Sequence, residues 1–279
     1  MGEDGPIESR SLNAGANEKL EEAFESAFGS ISWSNEKTKE FSKIVDDFFQ
    51  KRPFEKIIEV DKQSDQQIHK IRMTAPLPKQ LANVAKDAAS NLRDALDHAV
   101  YASTSMLSGK ADPSDTGFPF GADAASISQE LNGRRLRGNA PEIRATLEAL
   151  QPYSGGNDPL YRLNKLRNPN THRVIVPVIA ASMGNTLQFS GSITGPSQLG
   201  YNHWDPVART VEFMRVGAGS DFDYKVTVSW AVTFGAIEAV KGLEVVTTLR
   251  TMSSDVEAAV TAIKVETARI LGARSAVAT

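Results

Sequence analysis

The chain has no cysteine, which excludes disulfides, thiolate metal sites and cysteine nucleophiles. No apolar run approaches the roughly 18 residues needed to cross a bilayer. The opening residues, Met1-Gly2-Glu3-Asp4-Gly5, have neither the basic nor the apolar segment of a secretory leader. A cytoplasmic protein that does not enter a membrane is the simplest expectation. An excess of positive charge is also lacking. Against 34 Asp and Glu stand 31 Lys and Arg, a formal net charge of −3. That argues against a broadly basic, nucleic-acid-coating surface but leaves room for a local basic groove. Also absent are the phosphate loop Gly-x-x-x-x-Gly-Lys, the zinc pair His-Glu-x-x-His and the nucleophile elbow Gly-x-Ser-x-Gly. Nucleotide hydrolysis, zinc hydrolysis and serine esterase activity have no support from sequence, and no cofactor or metal is expected.

What is present is ordinary for a folded protein: 279 residues, 41% hydrophobic and 23% charged, enough to bury a sizeable core in one large domain or two small ones. Residues 1–14 are polar and Gly-containing and read as a disordered tail. Leu20, Phe24 and Phe28 predict a helix ending at Gly29. Ser34 reads as the N-cap of a second helix, whose apolar stripe is Phe41, Ile44, Val45, Phe48 and Phe49, with Pro53 as its stop. Over residues 55–74 the period changes to two. Ile58 and Val60 share one strand face, and His69, Ile71 and Met73 share another. With Asp61 to Asp65 as the turn, this predicts a β-hairpin. A long helix over 79–107 follows, then short helices over 124–132, 141–150 and 159–166. Strands are predicted near 174–180, 186–194, 209–216 and 224–234, and a helix over 252–272 closes the chain. The plan is α+β: a mainly helical region over 15–172 with a hairpin in it, and a strand-rich region over 173–279 with a C-terminal helix, which could pack as one domain.

Chemistry concentrates on the long helix, in Asn91-Leu92-Arg93-Asp94-Ala95-Leu96-Asp97-His98. At about 100° per residue from Leu92, Arg93 lies near 100°, Asp97 near 140°, Asp94 near 200° and His98 near 240°. Tyr101 falls near 180° on the same arc. Arg93 with Asp97, and Asp94 with His98, are i,i+4 pairs able to meet side chain to side chain. A carboxylate on one imidazole nitrogen leaves the other free for proton transfer. The same arc would serve equally as a structural salt-bridge network. Arg167-Asn168-Pro169-Asn170-Thr171-His172 repeats the Arg-to-His spacing, but Pro169 bars a continuous helix there.

The Arg93, Asp94, His98 spacing resembles the motif of HEPN ribonucleases. The resemblance implies a metal-independent endoribonuclease, usually dimeric, in which His98 moves the proton, Arg93 stabilises phosphoryl charge and Asp94 holds His98. Asp97, Tyr101 and His172 are further candidates for that site. RNA and a second copy of the chain would be the partners. More broadly, Pro76-Leu77-Pro78, the Asn91–His98 block, Phe118-Pro119-Phe120, Gln151-Pro152-Tyr153 and Leu163 through Arg173 resemble a widespread bacterial family of uncharacterised proteins, a likeness that covers roughly 40–180 and brings no activity with it. Arg134, Arg135, Arg137, Lys165, Arg167 and Arg173 are candidate phosphate contacts or plain solvated surface charge. His203-Trp204-Asp205 reads as a turn between strands, able to line a ligand site. The competing expectation is a non-catalytic binding or interaction protein whose strand-rich half presents the surface.

Overall fold

The computed structural model describes residues 7–108, 116–133, 136, 139–167, 177–205, 207–235 and 237–277. Among them the order is α1 (Ile7–Gln50), β1 (Phe54–Asp61), β2 (Gln66–Met73), α2 (Gln80–Ser108), α3 (Ala124–Asn132), α4 (Pro141–Ala149), α5 (Asp158–Arg167), β3 (Pro177–Ser192), β4 (Gln198–Asp205), β5 (Thr210–Gly217), β6 (Asp221–Phe234) and α6 (Val245–Val277). The α+β plan holds, with helices first, strands in the second half and a closing helix. No described helix is long and apolar enough to cross a membrane.

The chain divides into two compact units that are discontinuous in sequence. One comprises 1–40, 83–173 and 246–279; the other comprises 41–82 and 174–245. The closing helix therefore belongs with the helical unit, and the hairpin joins the later strands.

The first two expected helices are one. In α1 the buried residues Leu20, Phe24, Ala27, Ile31, Ser34, Thr38 and Phe41 recur at alternating steps of four and three, so the buried stripe runs straight past Gly29. A mid-helix glycine costs about 0.5–1 kcal/mol against alanine, less than the roughly 1.5–3 kcal/mol from burying one such side chain. Ser34 is no cap. Its hydroxyl is buried and donates to the Ala88 carbonyl at 2.9 Å. The helix also begins at Ile7, within the stretch expected to be a tail.

In the helical unit, α2 buries Leu92, Leu96 and Val100 among Ala85, Ala88, Ala89, Ala95, Ala99 and Ala102. Small side chains let neighbouring backbones approach, and polar contacts then fix the register. Ser253 of α6 donates to Asn35 of α1 at 2.8 Å, and Thr267 of α6 donates to Ser103 of α2 at 2.8 Å.

In the strand-rich unit, β1-β2-β5-β4 form an antiparallel sheet and β3-β6 a two-stranded ribbon. The hairpin pairs Phe54 with Met73 through Asp61 with Gln66. Its turn is held by Asp61, which accepts from the Gln63 amide at 2.9 Å and the Ser64 hydroxyl at 2.7 Å. Phe222, Tyr224 and Trp230 of β6 pack on Ile71, Phe213, Met214 and Val216, which closes the unit's core. Two strand expectations are corrected. The runs near 174–180 and 186–194 belong, over 177–180 and 186–192, to one strand, β3, with a register irregularity between Met183 and Leu187; 174–176 lie outside the described residues. His203-Trp204-Asp205 is not a turn but the end of β4.

Candidate functional site

The arc lies midway along α2, in the helical unit. Its two halves have different fates. Arg93 is largely enclosed, its side chain 13% exposed. Its Nη1 donates to Asp97 Oδ1 at 2.9 Å, which realises the first i,i+4 pair. The same Asp97 oxygen accepts the Phe118 backbone N–H at 2.8 Å. The Arg93 guanidinium lies over the Phe120 ring, 4.2 Å from its centroid, and Nη2 reaches the Phe118 carbonyl at 3.5 Å. One carboxylate and one guanidinium thus grip both backbone groups of Phe118 and one aromatic face. The loop they hold is itself packed: Gly117, Phe118 and Pro119 are buried, and the Phe118 and Phe120 rings lie 4.9 Å apart. The Gly121 amide continues the chain of contacts to the Pro152 carbonyl at 3.3 Å. The Asn91–His98, Phe118–Phe120 and Gln151–Tyr153 blocks therefore meet in space.

The second pair does not form. His98 is exposed, and its Nδ1 lies 3.0 Å from the Ser26 hydroxyl and 3.4 Å from that of Ser30, both on α1. The Ser30 hydroxyl also donates to the Ser26 carbonyl at 2.9 Å. Asp94 is half-buried, and it is hydroxyls rather than this carboxylate that orient the imidazole. His98 Nε2 has no partner among the described residues. Tyr101 is 38% exposed one turn along. Chemically, the arrangement offers an oriented, solvent-facing histidine beside an arginine already committed to a loop.

Of the remaining candidates, Arg134, Arg135, Arg137, His172 and Arg173 lie outside the described residues. Arg167 ends α5, and its side chain is likewise outside the described part. Lys165 lies over Tyr161 at 5.1 Å. Asp205 accepts the Val207 and Ala208 amides at 2.8 and 3.0 Å, a turn-holding role. Among the described residues no cluster of three His, Asp or Glu is placed to hold a metal.

Sequence reasoning passed over one polar group in the strand-rich unit. His69 on β2 is buried, and its Nδ1 lies 3.1 Å from the Tyr224 hydroxyl. The Phe222 and Tyr224 rings stand 5.3 and 5.2 Å away. Its Nε2 has no partner among the described residues. Loss of hydration holds the imidazole below its usual pKa, and the Lys56 cation lowers it further. Lys56 sits over the Tyr224 ring at 4.4 Å, and burial raises the Tyr224 phenol. The alternation of His69 with Ile71 and Met73 was the available signal.

No protein-family model, curated protein sequence or solved structure matches this chain.

Proposed function

We propose that the chain is a non-catalytic binding protein in which Arg93 and Asp97 form a structural clamp. The observation that carries this reading is how Arg93 is spent: a guanidinium paired with Asp97, stacked on Phe120 and bonded to Phe118 has little left for a phosphate. The surface offered to a partner is the outer edge of β1. This strand pairs with β2 and ends its sheet, and Ile58 and Val60 on it are 56% and 61% exposed. An edge with no partner strand among the described residues, and with exposed apolar side chains, suits addition of an extended segment as a further strand. Glu55 and Glu59 point to the opposite face, where surface ion pairs with Arg72 and Lys70 are worth little. A matching partner strand is apolar on one face and basic on the other. A synthetic octapeptide alternating valine and lysine is the probe. Saturable binding by the wild type, weakened in Ile58→Lys and unchanged in Arg93→Ala, is the expected result. No binding, or equal loss in Arg93→Ala, refutes it.

The second reading is the HEPN-like, metal-independent endoribonuclease, a cytoplasmic bacterial homodimer in which His98 is acid or base, Arg93 steadies phosphoryl charge and RNA is the partner. It is favoured by one feature, the solvent-facing His98 with Nδ1 oriented by Ser26 and Nε2 without a partner among the described residues. Its test is RNA cleavage in EDTA by the wild type and by His98→Ala. Cleavage that survives EDTA and vanishes in the variant establishes this reading over the first. Absence of cleavage, or equal cleavage by both, removes it.

A further inference from the structure

In the strand-rich unit, one end of β6 is seated on the hairpin against His69. That histidine is 2% exposed, with the Phe222 and Tyr224 rings at 5.3 and 5.2 Å and the Phe213 ring of β5 at 6.3 Å. Its register partners are Ile58 of β1 and Met214 of β5, so both flanks of the imidazole are apolar. The Tyr224 hydroxyl lies 3.1 Å from Nδ1, and Nε2 is buried with no partner among the described residues. The neutral ring satisfies one nitrogen in either tautomer. The imidazolium fits worse, because it brings two N–H donors and a charge to a seat that offers one hydroxyl oxygen.

The charges around the ring deepen that mismatch. Lys56 of β1 donates to the Tyr224 carbonyl at 3.1 Å and lies 4.4 Å from the centroid of its ring, so the tie between β1 and β6 is itself a cation. Tyr224, its phenol raised by burial, stays neutral. Among the described residues no carboxylate faces His69 from a neighbouring strand. Glu55 and Glu59 of β1 pair with Arg72 and Lys70 on the opposite face. Glu212 of β5 stands against Lys70 in register and holds Arg215. Asp221 and Asp223 of β6 alternate with Phe222 and Tyr224 and are exposed. Loss of hydration, and then Lys56, hold His69 below its usual pKa.

The same end of β6 can move without unpairing from β3. Between Met183 and Leu187 the β3–β6 ladder breaks step, and Gly184 to Thr186 stand against Thr227 alone. Such an irregularity bends a ribbon locally. This one separates the Phe222–Tyr224 end of β6 from Trp230, which packs on Phe49 and Phe54. We infer that His69 works an acid-operated latch: its protonation unseats the Phe222–Tyr224 end of β6 and frees Lys56, while Trp230 stays docked. The latch lies behind the β1 edge, yet it stands whether or not that edge binds a strand.

The chain has no cysteine, so one engineered thiol in the full chain reports the opening. Val216→Cys places it in the cluster on which Phe222 and Tyr224 pack. A dipyridyl disulfide labels it in mild acid, and the rate is divided by that of a free thiol peptide at the same pH. The unseated histidine titrates near its ordinary value, so below about pH 6.5 labelling should speed up by as much as about tenfold per pH unit. The rate should be nearly flat in low urea, because lifting one strand end exposes little surface. In His69→Phe the acid rise should vanish. Lys56→Met should label faster at neutral pH, where the tie is lost, and show a smaller acid rise, because one of two facing cations is gone. Met214→Cys, at the register partner of His69, should give the same profile and replaces Val216→Cys if that variant does not fold. No acid rise, an equal rise in His69→Phe, or a rate that climbs steeply with urea, as unfolding of the whole unit requires, overturns the inference.

Discussion

Replacing Asp97 by alanine removes the one oxygen that Arg93 and the Phe118 amide share. A hydrogen bond to a charged group contributes about 1.5–3 kcal/mol, and stranding a partly buried donor adds a desolvation cost. The Asp97 side chain is 31% exposed and Arg93 13%, so water can reach the first more easily than the second. Discounting for that access, Asp97→Ala should cost about 2–3 kcal/mol. Arg93→Ala removes the ion pair and the contact with Phe120, about 0.5–2 kcal/mol for the cation–π part alone, and should cost about 2 kcal/mol in total. Because both variants dismantle the same grip on Phe118, their effects cannot add. The double variant should cost about 1–2 kcal/mol less than the sum of the single ones. Urea denaturation of the four proteins, with midpoints and slopes fitted separately, measures the cycle. Single losses below about 0.5 kcal/mol, the range of ordinary surface substitutions, or strict additivity, would refute the clamp.

Two further outcomes are expected. His69 is buried as the neutral form with its pKa below the usual value. The unfolded chain therefore takes up a proton below about pH 6.5 that the folded chain refuses. Stability should fall as pH drops from about 6.5 toward the folded value, by at most about 1.4 kcal/mol per pH unit, and that slope should flatten in His69→Phe; an unchanged slope in pH-dependent melts refutes the assignment. Arg93→Lys keeps the charge but loses the planar face over Phe120 and the forked donors that reach Asp97 and Phe118. It should recover less than half of the Arg93→Ala loss in the same urea titration, and full recovery would show that charge alone matters.

The alternation of His69, Ile71 and Met73 and the stop signal at Pro53 made the hairpin legible in sequence, because a half-buried strand writes its period locally. The long helix was equally plain from its leucines and alanines. The split of α1 was a misreading of two local signals, Gly29 and Ser34, against a buried stripe that a longer window would have carried through. β4 went unseen because its strand sequence, Gln198 to Asp205, includes Gly200 and Asn202, which weaken a strand signal, and its existence rests on pairing with β5. The partners of the arc were out of reach altogether. Phe118 lies 21 residues from Asp97, and Ser26 lies 72 from His98, and no periodicity links such positions.

One part of the arc's fate was nonetheless written on α2 itself. From Leu92 at zero, Val100 falls near 80° and Thr104 near 120°, so the buried sector extends well past Leu96 near 40°. Both residues are buried. Arg93, near 100°, lies between them in projection, and Asp97 near 140° sits at the rim. His98 near 240° and Tyr101 near 180° fall outside that sector, and both are exposed. The side of the helix thus sorts the four groups before any partner is known. Arginine and aspartate on the buried flank must satisfy each other and the loop that covers them, because unpaired charge there is costly. Histidine on the open flank carries no such obligation, and among the described residues it is hydroxyl contacts that hold it. For Arg93 to serve a phosphate it would have to leave Asp97 and Phe120, so catalysis would begin by undoing the grip on Phe118. The Arg93–Asp97 part of that cost is the coupling energy the double-mutant cycle measures, and the Phe120 contact adds to it.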